Sequence, residues 1–417
     1  MTVLGPLPNL RHLRVFEAVA RFGSVTSASR TIHLSQPAVT QAISKLEDIF
    51  GTRLFERGQR GSHLTPSGEI VLARTGRMFA SIAQALEDLF PGHAGAGNAS
   101  IQSAIDKITI AQIRCLLAVA DNVSFDQAAR SINVSQPSLH RAAREFERHI
   151  RRTIYYRGPR GMRTTKQGSE LARRLALAMR EIDYAFDEVN DLQGAIGSRI
   201  AIGMLTGGGS FVLAGAIGEF LESAPSARVQ IVEEPYEQLL GDLRAGKIDF
   251  LFSVLRRPAW ADDVVETKLF DESYAIVMRP AHPLGKMTRV ERKDLARYDW
   301  IVPGPATPRY RAFEQLFASE KVKPAARIET ASRGLVRALI AMSDKLTLLA
   351  RHEALLEEKL GVLRIVPAKV RLPRRAYGVA TRANWQPTAL QRQFLRILTR
   401  HGSQADIARN TVLSSMP

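Results

Sequence analysis

The sequence predicts a multidomain chain: two copies of one small helical domain, a long connecting helix, and a larger α/β domain. Three observations carry that prediction. The segment beginning at Leu10 recurs without a gap in the segment beginning at Ile110, an offset of 100 residues. Residues 167–192 then show one helical stripe of apolar side chains. From Ile200 onward, short apolar runs alternate with helical stretches, as strands and helices do in α/β domains.

The repeat is dense in residues that chance seldom aligns. Arg14, Ala18, Val19, Ala20, Ser24, Ala28, Arg30 and Ile32 meet Arg114, Ala118, Val119, Ala120, Ser124, Ala128, Arg130 and Ile132. Glu47 meets Glu147, and Arg57, Gly58, Arg60, Gly61, Thr65 and Gly68 meet Arg157, Gly158, Arg160, Gly161, Thr165 and Gly168. Two copies make a duplication rather than a solenoid.

In the first copy, Leu13, Phe16, Val19 and Ala20 form the apolar face of a helix that ends at Phe22 and Gly23. Ser24 caps a second helix, in which the small Ala28 permits a close crossing. His33 and Leu34 make a short turn, Ser35 caps a third helix, and Pro37 is tolerated in its first turn. Val39, Ile43, Leu46 and Phe50 bury one face of that third helix. Its other face carries Gln36, Ala38, Thr40, Gln41 and Ser44, short or hydrogen-bonding side chains suited to base edges. Arg53, Arg57, Arg60 and His63 follow in an extended, Gly-containing hairpin, where cations can meet phosphate oxygens. Three helices, a short turn and a basic wing describe an all-α winged helix-turn-helix domain. Its candidate DNA contacts are Ser35, Gln36, Pro37, Thr40, Gln41, Ser44, Arg53, Arg57 and Arg60. His33 and His63 are read as surface residues.

Residues 91–100 carry no charged side chain and are rich in Gly and Ala, so they predict a flexible linker. In the second copy the matching DNA contacts are Ser135, Gln136, Pro137, His140, Arg141, Arg144, Arg157 and Arg160. Here Thr40, Gln41 and Ser44 are replaced by His140, Arg141 and Arg144, and Arg148, Arg151 and Arg152 add further cations. Ile43 becomes Ala143, with Phe146 for Leu46 restoring core volume. This copy should grip phosphates more and read bases less. The competing expectation is a folded relic that serves dimerisation. Cys115 lies on an apolar helix face and reads as core.

Leu171, Leu175, Ala178, Ile182, Ala185, Phe186 and Val189 form the stripe of the connecting helix. The α/β domain is expected to hold mainly parallel strands. Thr206, Gly207, Gly208 and Ser210 lie between a strand end and a helix start, where free N–H groups and the helix dipole favour an anionic or sugar-like ligand. Thr330, Ser332 and Arg333 precede another helix, and Arg333 is a candidate partner for an anionic effector, with a structural salt bridge as its competing role. Trp260, Trp300 and Trp385 are candidates for a cleft, although core packing suits Trp300 and Trp385 better. The boundaries so read are 1–90 for copy one, 91–106 for the flexible linker, 107–166 for copy two, 167–198 for the linker helix, 199–402 for the α/β domain and 403–417 for a tail.

The stretches SVTSASRTIHLSQPAVTQAISKLEDIFGTRLFER and LTPSG resemble the DNA-binding domain of LysR-type transcriptional regulators. SFDQAARSINVSQPSLHRAAREFERHIRRTIYYRG resembles it almost as well, and residues 165–192 and 199–400 are similar to the family's linker helix and effector domain. The resemblance implies a two-lobed, periplasmic-binding-protein-like effector domain, with SYAIVMR crossing to the second lobe and LRIVPAKV returning. MRPAHPLG, YDWIVPGPATP and ANWQPTALQRQFL resemble a branch that handles sugar or aromatic-acid regulation. It also implies a sequence-specific regulator of transcription whose partners are double-stranded DNA, a small-molecule effector and further copies of itself. RNA polymerase is a further candidate partner, and no cofactor is implied. The family usually carries one such DNA-binding domain; this chain departs from that pattern.

Composition agrees. The chain has 417 residues and a net charge of +17, with 45% apolar residues. Residues 1–99, 100–198 and 199–417 carry balances of +3, +4 and +10, so no polybasic tail accounts for the charge. One Cys excludes a disulfide framework and fits a reducing cytoplasm, and the absence of a long apolar run argues against a membrane partner. No HExxH, GxSxG, Gly-Lys-Ser/Thr loop or Cys/His cluster occurs, and Glu233–Glu234 and Asp262–Asp263 are adjacent pairs that face opposite sides of a strand. An enzyme is therefore not expected. The alternative is a ligand-binding module whose helical domains make only protein contacts.

Overall fold

The computed structural model describes residues 7–58, 61–89, 98–158, 161–194, 198–205, 209–256, 262–320 and 324–414. They divide into two compact units, the first holding residues 1–199 with two short loops, the second most of the remainder.

In the first unit, copy one comprises α1 (Leu10–Phe22), α2 (Val25–Thr31), α3 (Gln36–Phe50), the hairpin β1 (Phe55–Gly58) and β2 (Gly61–Leu64), and the long α4 (Pro66–Leu89). α5 (Asn98–Lys107) follows. Copy two comprises α6 (Ile110–Asp121), α7 (Phe125–Ser131), α8 (Gln136–Ile150), β3 (Tyr155–Gly158), β4 (Gly161–Thr164) and the long α9 (Lys166–Leu192).

The local signals hold. Gly23, at φ 65°, ends α1, and Ser24 and Ser35 accept from Ser27 N and Ala38 N to cap α2 and α3. The turns before α3 and α8 use left-handed His33 and Asn133 at matching positions. Val39, Ile43, Leu46 and Phe50 are buried, as are Ala143 and Phe146 in copy two. Cys115 is buried too, and that burial raises its thiol to about 11, which removes it from thiolate chemistry at neutral pH.

One expectation fails in part here. The stretch read as a flexible linker is helical from Asn98 to Lys107, because Ile101, Ala104 and Ile105 are buried in the common core. Residues 91–97 lie outside the described residues. The two copies share one continuous core.

The second unit contains β5 (Arg199–Met204), α10 (Ser210–Ser223), β6 (Arg228–Glu233), α11 (Tyr236–Arg244), β7 (Phe250–Val254), β8 (Val264–Met278), α12 (Arg292–Leu295), β9 (Ile301–Val302), α13 (Pro308–Leu316), β10 (Ile328–Glu329), α14 (Arg333–Ala341), β11 (Thr347–Ala350), α15 (Arg351–Lys359), β12 (Arg364–Ile365), β13 (Arg374–Arg382) and α16 (Ala389–Ser414). The main sheet runs β11-β8-β13-β7-β5-β6, with β12 also on β8. Its strands serve two lobes with separate cores, one around Leu239, Leu243 and Leu251, the other around Trp300, Phe313 and Leu346.

The sheet is not mainly parallel, as the sequence leads one to expect: β13 pairs antiparallel with both β7 and β8, as β11 and β12 do with β8. The cause is topological. The long β8 leaves the first lobe and β13 comes back beside it, so the two run in opposite directions. The return is therefore β13, not LRIVPAKV, whose Arg364–Ile365 pairs with the far end of β8 inside the second lobe. At the bulge between Tyr377 and Gly378, a Cβ on Gly378 would lie 2.1 Å from Thr267 O. The segment read as a tail is helical as far as Ser414, since α16 continues into it.

Candidate nucleic-acid interface and effector site

The two faces of α3 separate cleanly. Gln36, Thr40, Gln41 and Ser44 are exposed, along with Ser35 and Pro37, above the buried apolar row. Among the described residues none of those four side chains has a hydrogen-bond partner, so their donors and acceptors face water. Glu47 fixes the hairpin to this helix: its Oε1 accepts from Leu54 N at 2.9 Å and Phe55 N at 3.3 Å. Glu147 repeats the device on Ile154 N at 2.9 Å and Tyr155 N at 3.1 Å. The repeated Glu thus has a structural cause.

Arg53 is exposed but precedes the hairpin rather than lying in it. Arg57 lies on β1 opposite Ser62. Arg60 and Arg160 lie outside the described residues, and Arg157 is exposed on β3.

In copy two, Ser135, Gln136, Pro137, His140, Arg141 and Arg144 are all exposed. This face already has partners within the chain. Gln136 donates to Asp126 Oδ1 at 2.9 Å, Arg144 pairs with Glu147 at 3.2 Å, and the His140 ring packs on Phe125 at 4.3 Å. Beyond it, Arg144, Arg148, Arg151 and Arg152 surround an open recess of about 540 Å³ together with Glu147 and Thr153. The sequence points to the cations here, but not to Asp126, whose carboxyl is held down by Gln136 and Arg130.

In the second unit, Thr206, Gly207 and Gly208 lie outside the described residues. Ser210 opens α10 directly after Gly209. A Cβ on Gly209 would lie 2.7 Å from the rings of Phe252 and Tyr377, so the helix can start against those rings only with glycine there. Tyr377 stacks on Phe270 at 5.4 Å, and Phe270 meets the edge of His352, whose Nδ1 lies 3.1 Å from Glu272 Oε2. Arg375 lies over the Tyr274 ring at 4.1 Å. Burial pushes the Tyr274 hydroxyl up, while Arg375 and Arg309 act on it electrostatically in the opposite direction.

Thr330 and Ser332 turn out to be turn and cap residues: Thr330 Oγ1 accepts from Ser332 N at 3.1 Å, and Ser332 Oγ from Leu335 N at 3.4 Å. Arg333 makes the anticipated salt bridge, to Glu353 at 3.1 Å. It also lines a cavity of about 170 Å³ with Arg309, Arg337, Glu353 and Glu357. Burial lowers the Arg309 guanidinium and raises the Glu353 carboxyl. A wider cleft of about 1380 Å³ shares Tyr274 and His352 with this cluster and is lined by Arg292, Arg351, Lys369, Arg371 and Arg374. Trp300 is buried core, Trp385 packs against Phe250, and Trp260 lies outside the described residues.

Six members of this cluster escape sequence reasoning: Arg309, Arg375, Tyr274, Tyr377, Glu272 and His352. They come from β8, α13, α15 and β13, and no local pattern announces that these segments meet.

Two winged-helix copies, each with an exposed helix face after the turn, in one chain with a two-lobed α/β domain, are the architecture of a DNA-binding regulator with an effector domain. The model of the bacterial regulatory helix-turn-helix protein, lysR family, matches residues 10–69 and again 110–169, and that of the LysR substrate binding domain matches residues 193–403. The chain belongs to the LysR family of transcriptional regulators, which are not enzymes. The HTH-type transcriptional regulator GalR of Pseudomonas putida is 28% identical over 378 residues, covering 90% of this chain and 93% of that protein. The HTH-type transcriptional regulator GbpR of Rhizobium radiobacter is 27% identical over 254 residues, covering 59% of this chain and 82% of that protein. A full-length OxyR variant from Pseudomonas aeruginosa shares the fold, with a TM-score of 0.51 and 20% identity over 71% of this chain and 94% of that one. Among the described residues no helix is long and apolar enough to cross a membrane.

Proposed function

We propose that copy one reads base edges in a major groove through Gln36, Thr40, Gln41 and Ser44, while copy two grips a neighbouring stretch mainly through phosphates. The observation that carries this is the row of exposed, unpartnered polar side chains on α3 above a buried apolar row. Uncommitted donors and acceptors on a capped helix suit base-edge recognition. Copy two offers Arg141, Arg144, Arg148 and Arg151 instead, cations that suit phosphate oxygens. Its internal pairs to Asp126, Glu147 and Phe125 favour a second reading, in which its helix makes protein contacts only.

Salt dependence separates the two. A duplex selected by the full chain from random-sequence DNA serves as the probe. Arg141→Ala/Arg144→Ala should weaken binding and reduce the slope of log K against log salt by about one unit for each phosphate no longer neutralised. An unchanged slope and affinity would assign copy two to protein contacts.

For the two-lobed domain the proposal is a small anionic or sugar-like effector, held near Tyr274, Arg309, Arg333 and Arg375. Its support is the local excess of cations around the cluster and the adjoining cleft. A cytoplasmic homo-oligomer that regulates transcription, with RNA polymerase as a further partner, completes the reading.

A further inference from the structure

The long helices carry a symmetry that the repeat alone does not announce. Shifted by the repeat offset of 100 residues, Arg74 falls on Arg174 and Asp88 on Glu188. Arg74 binds Glu188 through two bonds, Nε to Oε2 and Nη2 to Oε1, both 2.8 Å. Arg174 Nη1 donates to Asp88 Oδ2 at 2.6 Å. Each copy thus gives an arginine from the first half of its long helix and receives one near the far end. This reciprocity is the mark of a two-fold interface between like subunits, here with antiparallel helices. The apolar sides of α4 and α9 meet in the common core, where Phe50 of copy one also stacks on Phe186 at 4.3 Å.

The symmetry is broken at one place. Glu181 Oε2 accepts from Arg74 Nη1 and from Arg77 Nε, each at 3.0 Å. The copy-one counterpart of Glu181 is Ser81, and the copy-two counterpart of Arg77 is Leu177. Consider the two self-pairings. Two α4 helices would bring Arg74 and Arg77 against only Asp88, a surplus of positive charge on each side. Two α9 helices would bring Glu181 and Glu188 against only Arg174, a surplus of negative charge. The mixed pair alone balances three arginines with three acids across the seam. Within α9, Glu170 accepts from both Arg173 and Arg174; Glu170 and Arg173 together add one charge of each sign and leave the balance unchanged. Arg74 is only 2% exposed, so an unmatched charge beside it is costly.

We propose that this chain is a heterodimer in one polypeptide: α4 and α9 form a dimer seam inside the chain, the Arg77–Glu181 asymmetry excludes self-pairing of either copy, and one chain addresses a DNA site of two unlike half-sites. The DNA part rests on the reading that both copies contact DNA; the seam does not.

Charge exchange tests the seam without DNA. In the full chain, Arg77→Glu and Glu181→Arg should each lower the melting temperature of the first unit by several degrees, and the double exchange should regain part of the larger Glu181→Arg drop, because the new arginine meets the new glutamate but still faces Arg74. Co-expressing the two single variants should regain nothing. Recovery on co-expression would show that α4 pairs with α9 of another chain and overturn the proposal, as would a double exchange no better than Glu181→Arg alone. Glu181→Gln keeps the shape and serves if the exchange prevents folding. It should lower the melting temperature more than Ser81→Ala, and equal effects would overturn the seam. Selection from random-sequence duplexes then tests the DNA part. The expected product holds two unlike half-sites about 34 Å apart, or a multiple of it, with one chain per pair. A palindromic product would overturn that part. A lone half-site alongside the expected melts would keep the seam and remove the second DNA-reading module.

Discussion

Glu17 sits half-buried on α1, with Oε1 facing Gly76 of α4, and copy two places Leu117 at the same position. Burial raises its carboxyl to about 7, with Arg14 opposing only in part. The folded chain therefore holds this proton more tightly than the unfolded chain, whose carboxyl titrates near 4.5. Stability from this group is greatest below that value, falls as pH rises through the interval, and levels off above about 7. Glu17→Leu should flatten this part of the pH profile. At pH 8 it should stabilise the first unit by about 1 to 2 kcal/mol, a figure discounted for the water that still reaches the carboxyl. Chemical denaturation at pH 5 and pH 8 checks it: an equal gain at both would assign the effect to packing. The sequence shows this Glu but not its burial, because Gly76, which it faces, lies far along the chain on α4. Cys115 is legible for the opposite reason: its own helix is apolar around it.

At the scale of elements, caps and apolar stripes are readable, because each depends on residues a few positions apart. Ser35 and Pro37 start α3 where the sequence places its start, and Gly51, at φ 66°, ends it. α5 is not readable. Its stability comes from its surroundings: its buried side chains, and Arg14, whose guanidinium reaches the carbonyls of Ile105 and Asp106 at its C-terminus. The end of α8 is readable only by comparison with copy one. Arg151 adopts the left-handed conformation, φ 51°, in which copy one has Gly51. A side chain there costs roughly 1 kcal/mol relative to glycine. Arg151→Gly should raise the stability of the first unit by about that amount. If Arg151 meets a phosphate, the same change should weaken DNA binding and lower its salt slope by about one unit. Gain in stability with unchanged binding would leave the arginine without a DNA role. The candidate effector cluster is the least legible part, since β8, α13 and β13 must all be in place before Tyr274, Arg309 and Arg375 meet.

The whole molecule has two units, each with its own core, so heating should unfold them in two separable steps. A ligand stabilises only the unit that binds it. A duplex selected by the full chain, present at about a hundred times its dissociation constant, should contribute about 2.7 kcal/mol and raise the first unit's midpoint by roughly 5–10 °C. The second midpoint should stay in place. Because the chain carries +17 and DNA contact releases counterions, the shift should shrink sharply between about 50 and 200 mM salt. Calorimetry with and without the duplex at both salts checks each step. A regulator also needs coupling between the two units, and that coupling must be reciprocal: whatever effector changes DNA affinity has its own affinity changed by DNA by the same factor. If the duplex moves both midpoints together, the units unfold as one body, and coupling runs through folding itself. If it moves only the second, DNA is held by the two-lobed domain and the winged-helix copies have another task.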